Sequence, residues 1–344
     1  MRRINMLALG AIVAAVLALA PVANAKVQLA GGSTTLKLAP GTASALQSNG
    51  VAVRPLNPAR VRGGAVAFPI TGGSIDPASA AGRIDHSGGL ALRAGGTRVA
   101  LRNFRVHVGS RRAILTAQVG NARLTALTLS LRNAKVVRNG LGTTVRGVQA
   151  LLSGQAAKAL NAAFRTDLFA RGLPIGSVVV RAVPAQVELA RGATTLALDA
   201  GAASALASLG VEAAPVDPAS AATGGLSFPI TGGKLNAKSF AGSVAHSGGI
   251  RLSKGSTAVE LTSFTINVDA DPDLTALVGG QRVSILNLDL SQLDAQVSGR
   301  RITLGGVRAT LTAAAAQALN GAFSTSAFTE GLLLGTATVT ARAR

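Results

Sequence analysis

Apolar and polar residues alternate along much of the chain. Val99-Ala-Leu-Arg-Asn-Phe-Arg-Val-His-Val108 changes character at nearly every step, and Val259-Glu-Leu-Thr-Ser-Phe-Thr-Ile-Asn-Val268 does the same. A period of two marks a strand with one buried face. Ala126–Leu131 and Ile285–Leu290 extend the pattern. Glycine pairs at 63–64, 72–73, 88–89 and 95–96 punctuate it and read as hairpin turns. The pattern predicts a mainly β, sandwich-like or barrel-like antiparallel sheet.

Two kinds of short helix interrupt the strands. Pro40 can open one over Gly41–Ser48, with Gly50 after its end, and Asp199 can cap its counterpart Ala200–Ser208 before Gly210. Ser153 and Thr312 precede Ala-rich runs that carry Leu160 with Phe164 and Leu319 with Phe323. A spacing of four puts each Leu–Phe pair on one buried stripe. These helices read as structural.

The chain repeats itself. Val27-Gln-Leu-Ala30 recurs as Val187-Glu-Leu-Ala190, and Phe68-Pro-Ile-Thr-Gly-Gly73 as Phe228-Pro-Ile-Thr-Gly-Gly233. His86-Ser-Gly-Gly89 recurs as His246-Ser-Gly-Gly249, and Leu160-Asn-Ala-Ala-Phe164 as Leu319-Asn-Gly-Ala-Phe323. A period this long is a domain rather than a solenoid unit. The reading is two tandem domains, 26–182 and 183–344, each with two short helices and almost no linker between them. Before them, Met1-Arg2-Arg3, an apolar run from Leu7 to Ala20 and Ala23-Asn24-Ala25 have the order of a secretory signal peptide over residues 1–25. The expected location is outside the cytoplasm, with retention at the cell surface as one option and no membrane span in the mature chain.

Composition narrows the chemistry. The 344 residues contain no Cys, Trp or Tyr and only 3 His. Disulfides, thiolate metal sites and cysteine nucleophiles are excluded. No nucleophile elbow, P-loop or zinc-protease motif is present, and no carboxylate pair recurs in both copies. The chain reads as non-enzymatic.

The formal charge is +20, and its distribution is uneven. Residues 27–182 hold 20 Lys+Arg against Asp76, Asp85 and Asp167, whereas residues 183–344 hold 11 of each sign. Basicity therefore belongs to the first copy and cannot define a shared function. Arg98, Arg102, Arg105, Arg111 and Arg112 cluster around one strand as candidate anion-binding residues. Arg98 and Arg102 differ in parity from Arg105, so the strand pattern does not put them on one face. An anionic cell-wall polymer is the polyanion that suits a secreted protein. Nucleic acid is not expected, because no Tyr or Trp is available for base stacking. Free use of Arg codons is the competing, purely compositional explanation.

His86 and His246 are the polar residues that both copies share at one place, in Gly82-Arg-Ile-Asp-His-Ser-Gly-Gly-Leu90 and Gly242-Ser-Val-Ala-His-Ser-Gly-Gly-Ile250. An imidazole there can hold a ligand or can simply bond to the protein around it. The motif resembles the HtaA-type domain of secreted and surface-anchored bacterial haem-uptake proteins. Its elements are Phe-Pro-x-Thr-Gly-Gly, a spacer and Gly-x-Ile/Val-x-His-x-Gly-Gly. Leu115-Thr-Ala117 and Leu274-Thr-Ala276 also fit the family's pattern. The resemblance implies a β-rich fold with short helices and haem on one face. It also implies that His86 and His246 match a histidine supporting an iron-ligating tyrosine. That tyrosine has no counterpart here. Three roles stay open: the histidine as axial ligand, an apolar cleft holding haem or another flat molecule without ligation, or a retained fold with another role.

Overall fold

A computed structural model describes residues 26–109 and 112–344. Residues 1–25, where a signal peptide is expected, and Arg111 lie outside the described residues. The first domain runs β1 (Val27–Leu38), α1 (Pro40–Ser48), β2 (Ala52–Leu56), β3 (Arg60–Arg62), β4 (Ala65–Ile75), β5 (Gly82–His86) and β6 (Gly89–Ala94). It continues with β7 (Thr97–Val108), β8 (Ala113–Val119), β9 (Ala122–Ser130), β10 (Lys135–Asn139), β11 (Gly142–Leu152), α2 (Gly154–Phe164) and β12 (Pro174–Pro184). The second repeats that order: β13 (Gln186–Leu198), α3 (Ala200–Ser208), β14 (Glu212–Val216), β15 (Ser220–Ala222), β16 (Gly225–Asn236), β17 (Gly242–His246) and β18 (Gly249–Lys254). Then come β19 (Thr257–Val268), β20 (Asp273–Val278), β21 (Gln281–Asp289), β22 (Asp294–Ser298), β23 (Arg301–Leu311), α4 (Ala313–Phe323) and β24 (Leu333–Ala343).

Every pairing is antiparallel. In the first domain neighbours follow the order β7-β5-β4-β1-β12-β11-β9-β8, and β8 pairs back onto β7. The sheet thus closes as a barrel, its opposite walls packing face to face. β6 and β2 extend it from β7, while β3 and β10 lie against β4 and β11. The second barrel has the same order from β19 round to β20. Closure removes the exposed edges that an open sheet would present.

The alternating positions explain the core. Phe68, Ile70, Phe104, Val106 and Val180 point inward in the first barrel, and Phe228, Ile230, Phe264, Ile266 and Val339 in the second. Phe68 and Phe104 meet edge to face at 5.1 Å, and Phe228 and Phe264 repeat that contact at 5.1 Å. The helices form where the caps predict. Asp199 Oδ1 accepts from Gly201 N at 2.9 Å, Ser153 Oγ from Ala156 N at 2.9 Å and Thr312 Oγ1 from Ala315 N at 3.2 Å.

Two glycine pairs differ from their expected role, the first being Gly88-Gly89, which joins β5 to β6 although both strands pair with β7 and not with each other. The second, Gly72-Gly73, is no turn; it lies inside β4, where the register with β5 slips between Ile70 and Gly72. Gly73 sits at φ +108, and a Cβ there would stand 2.2 Å from the Arg83 carbonyl oxygen. The glycine permits a bulge that brings two backbones into close approach. Around Gly72 nothing lies within 4 Å of a built Cβ. Gly73→Ala should therefore lower the urea stability of the full chain by about 1–3 kcal/mol, and Gly72→Ala by about 0.5 kcal/mol or less. Equal midpoints for the two variants would contradict this account of the bulge.

Candidate ligand-binding site

The motif histidines are buried inside the barrels, each with 5% exposure. His86 ends β5, with its ring between two other strands. Thr34 Oγ1 on β1 lies 2.7 Å from His86 Nε2, and the Phe104 carbonyl on β7 lies 3.2 Å from Nδ1. A carbonyl only accepts, so Nδ1 carries the hydrogen and the threonine hydroxyl donates to Nε2. His246 repeats this clamp with Thr194 at 2.7 Å and the Phe264 carbonyl at 3.2 Å. Both ring nitrogens are spent in both copies. The bonds reach across the barrel interior rather than into the histidine's own turn. Sequence reading singled out the histidines but missed Thr34 and Thr194, which recur at the same offset as the histidines themselves.

Burial pushes both rings down to about 4, against the bond to the Phe104 or Phe264 carbonyl that favours the charged form. Each imidazole is neutral at pH 7.

The ring of His246 borders an apolar cavity of about 400 Å³, within the roughly 300–1,000 Å³ usual for small-molecule sites. Phe228, Ile250, Leu252, Leu261 and Leu319 supply apolar walls, and Thr194, His246, Gln281 and Ser284 are the polar residues of the lining. Among the described residues no Lys, Arg, Asp or Glu lines it. Leu198 and Val283, both lining residues, are 40% and 39% exposed. They mark where the cavity meets solvent.

The equivalent region of the first domain is packed differently. Leu46, Leu92 and Ala156 are buried in one cluster with Leu160 and Phe169, whereas their counterparts Leu206, Leu252 and Ala315 are half-buried and line the cavity. Both helices are tied at their caps, Ser153 Oγ donating to the Thr125 carbonyl and Thr312 Oγ1 to the Ser284 carbonyl, and α2 has a further tie in which Gln155 Oε1 accepts from Thr125 N on β9 at 2.9 Å. The counterparts of Gln155 and Thr125 are Ala314 and Ser284, which both face the cavity. Alanine cannot make that tie, and α4 leaves the space beside β21 open.

A flat apolar molecule suits this lining. Ligated iron does not: the chain has no Tyr or Cys, no Met lines the cavity among the described residues, and His246 can reach a metal only by giving up a bond to Thr194 or Phe264. The lining also offers no cation for a propionate.

The arginines form a separate surface. Arg98, Arg102, Arg105 and Arg112 are exposed. Their parity is reconciled by Asn103, which sits at φ 49 where the register between β7 and β8 slips from Arg102 to Arg105. The bulge switches the alternation, so Val99 and Leu101 point inward before it and Phe104 and Val106 after it. Arg98 and Arg102 thus share the outer surface with Arg105. Arg93 stands directly opposite Arg98, and the nearby Asp85 pairs with Arg83 at 3.1 Å and Arg105 at 3.2 Å.

Solved structures similar to part of this chain include two from one organism. The C-terminal domain of HtaA from Corynebacterium glutamicum is 16% identical, with 46% of this chain and 99% of that chain covered at a TM-score of 0.37. The heme-binding protein HtaB from Corynebacterium glutamicum is 12% identical, with 46% and 96% covered at a TM-score of 0.28. No family model matches the chain. No curated protein matches it either.

The clamps make stability depend on pH. A histidine whose pKa falls on folding contributes fully above its unfolded pKa near 6.5, and the contribution is lost as pH falls towards 4. Each ring is worth about 3 kcal/mol over that window. Asp76 and Asp289 are also held low, chiefly by the backbone N–H groups of Ser79 and Ser291, but they act below pH 3.8. Urea unfolding at pH 7, 6 and 5 should show each domain weakening by roughly 1 kcal/mol per pH unit below pH 6. Stability that stays flat to pH 4.5 would contradict buried neutral rings.

Proposed function

We propose that the chain is a secreted, non-enzymatic binding protein that captures a flat apolar molecule of the porphyrin class in the cavity of its second domain. The cavity beside His246 carries this reading. Its size, its apolar walls and its opening beside α4 favour a rigid hydrophobic ligand, and the motif it borders resembles that of haem-uptake domains. The macrocycle is held by apolar contact and not through iron. Haem is then one ligand among flat tetrapyrroles, its propionates left in solvent. The first domain keeps the same clamp with its interior filled, and supplies a scaffold.

A second reading concerns the outer face of the first domain. The Asn103 bulge gathers Arg98, Arg102 and Arg105 beside Arg93 with few acids, and this favours attraction of an anionic cell-wall polymer. It is compatible with ligand capture in the other domain.

The chain lacks Tyr and Trp, so binding is followed through the porphyrin's own absorbance and fluorescence. Haemin and iron-free protoporphyrin should each saturate one site at micromolar protein, with dissociation constants within about threefold, or about 0.7 kcal/mol. Ala314→Gln installs the tie of the first domain and should weaken both at least about tenfold, or about 1.4 kcal/mol, with the urea midpoint retained. Absence of a saturable site, or unchanged binding by Ala314→Gln, would contradict the assignment.

A further inference from the structure

The seam between the domains holds a cleft that ligand capture leaves without a role. The chain leaves the first barrel at Pro184 and enters the second at Gln186. Ala185 bonds to both sides: its N–H donates to the Gln28 carbonyl at 2.7 Å, and its carbonyl accepts from Ala237 N at 3.1 Å. Leu141, at the β10–β11 turn, packs against the core of the second barrel. Equivalent segments of the two copies meet here, since a Cβ on Gly140 would lie 3.7 Å from the carbonyl of Gly299, its counterpart. They enclose about 790 Å³.

The lining of that cleft is strongly cationic. Lys26 and Arg138 come from the first domain, and Lys234, Arg300 and Arg344 from the second; among the described residues Glu188 is the acidic side chain of the lining, with Asp76 near enough to Arg138 to feel its charge. The second domain is neutral as a whole, yet it sends three cations to this one place. Glu188 is already engaged, 3.6 Å from Lys234 and 4.0 Å from Arg344. Among the described residues neither Arg138 nor Arg300 joins an ion pair. Arg300 is fixed by its Nε, which donates to the Ala343 carbonyl at 2.9 Å. Partial burial and the guanidiniums of Arg138, Arg342 and Arg191 all disfavour its charge. Like charges brought together from two domains cost free energy, and a multivalent anion between them reverses the sign of that interaction. Guanidinium forks match phosphate and carboxylate oxygens in pairs.

We propose that this cleft is a second ligand site, for a compact anion with two or more phosphate or carboxylate groups, held between Arg138 and Arg300. It is independent of the apolar cavity and does not require the porphyrin reading. The test is calorimetric titration of the full mature chain with pyrophosphate and, separately, citrate. Salt is kept near 10 mM, where the screening length is about 30 Å. At least one anion should bind saturably at one site, and the tighter of the two assigns phosphate or carboxylate chemistry. Arg138→Gln breaks no side-chain hydrogen bond among the described residues and should weaken binding at least about tenfold. Arg98→Gln with Arg102→Gln removes more charge from the outer face of the first domain, and binding should stay within about twofold of the unaltered chain. No saturation with either anion overturns the proposal. So does an equal loss in the two variants, which would reduce the effect to bulk charge.

Discussion

A neutral imidazole, held between a threonine hydroxyl and a main-chain carbonyl, fixes the interior of each barrel. The ring of His86 links β5 to β1 and β7 across a stretch where the strands follow the order β7-β5-β4-β1. It settles the direction of both bonds and occupies both nitrogens. The Phe-Pro-Ile-Thr-Gly-Gly stretch serves the same arrangement: Phe68 lies opposite Thr34 and against Phe104, Ile70 is the register partner of His86, and Gly73 admits the adjoining backbone. What looks in sequence like a ligand-binding signature is largely a signature of how β1, β4, β5 and β7 pack on one another. A buried polar group is tolerated because all its partners are present.

Function then has to come from what the copies do differently inside the same frame. Gln155 ties α2 to β9 in the first domain, where Leu46, Leu92, Leu160 and Phe169 pack together beside the helix. Ala314 leaves the matching place open in the second, with Leu198 and Val283 bared at the rim. Charge diverges in the opposite sense. Its excess lies on the outside of the first barrel, and the second is neutral apart from cations gathered at the seam. The apolar cavity and the arginine-rich outer face therefore lie on different domains and surfaces.

Much of this was legible in the sequence. Period-two alternation located the strands, the repeat announced two tandem β units, and the caps at Ser153, Asp199 and Thr312 placed three helices. Those signals are local, and local physics decides them. Barrel closure was not legible, because the β7–β8 and β1–β12 pairings join segments whose register no short pattern specifies. The parity of Arg98, Arg102 and Arg105 misled, because one residue at positive φ, Asn103, inverts the alternation. Thr34 was passed over because a lone threonine in a strand looks like any other, although its recurrence as Thr194 was visible. The cavity hangs on the volumes of scattered residues such as Ala314 and Ser284, and volume complementarity across a barrel leaves no linear trace.

The central claim is that His246 is a structural clamp beside a cavity that binds by apolar contact. The most direct measurement is the ring ¹⁵N spectrum of His86 and His246, recorded before and after saturation with haemin and with iron-free protoporphyrin. The account predicts a neutral ring with hydrogen on Nδ1 in both residues, retained with either ligand. Loss of the Nδ1–H tautomer of His246, or iron-dependent broadening that shows Nε2 bound to the metal, would contradict it.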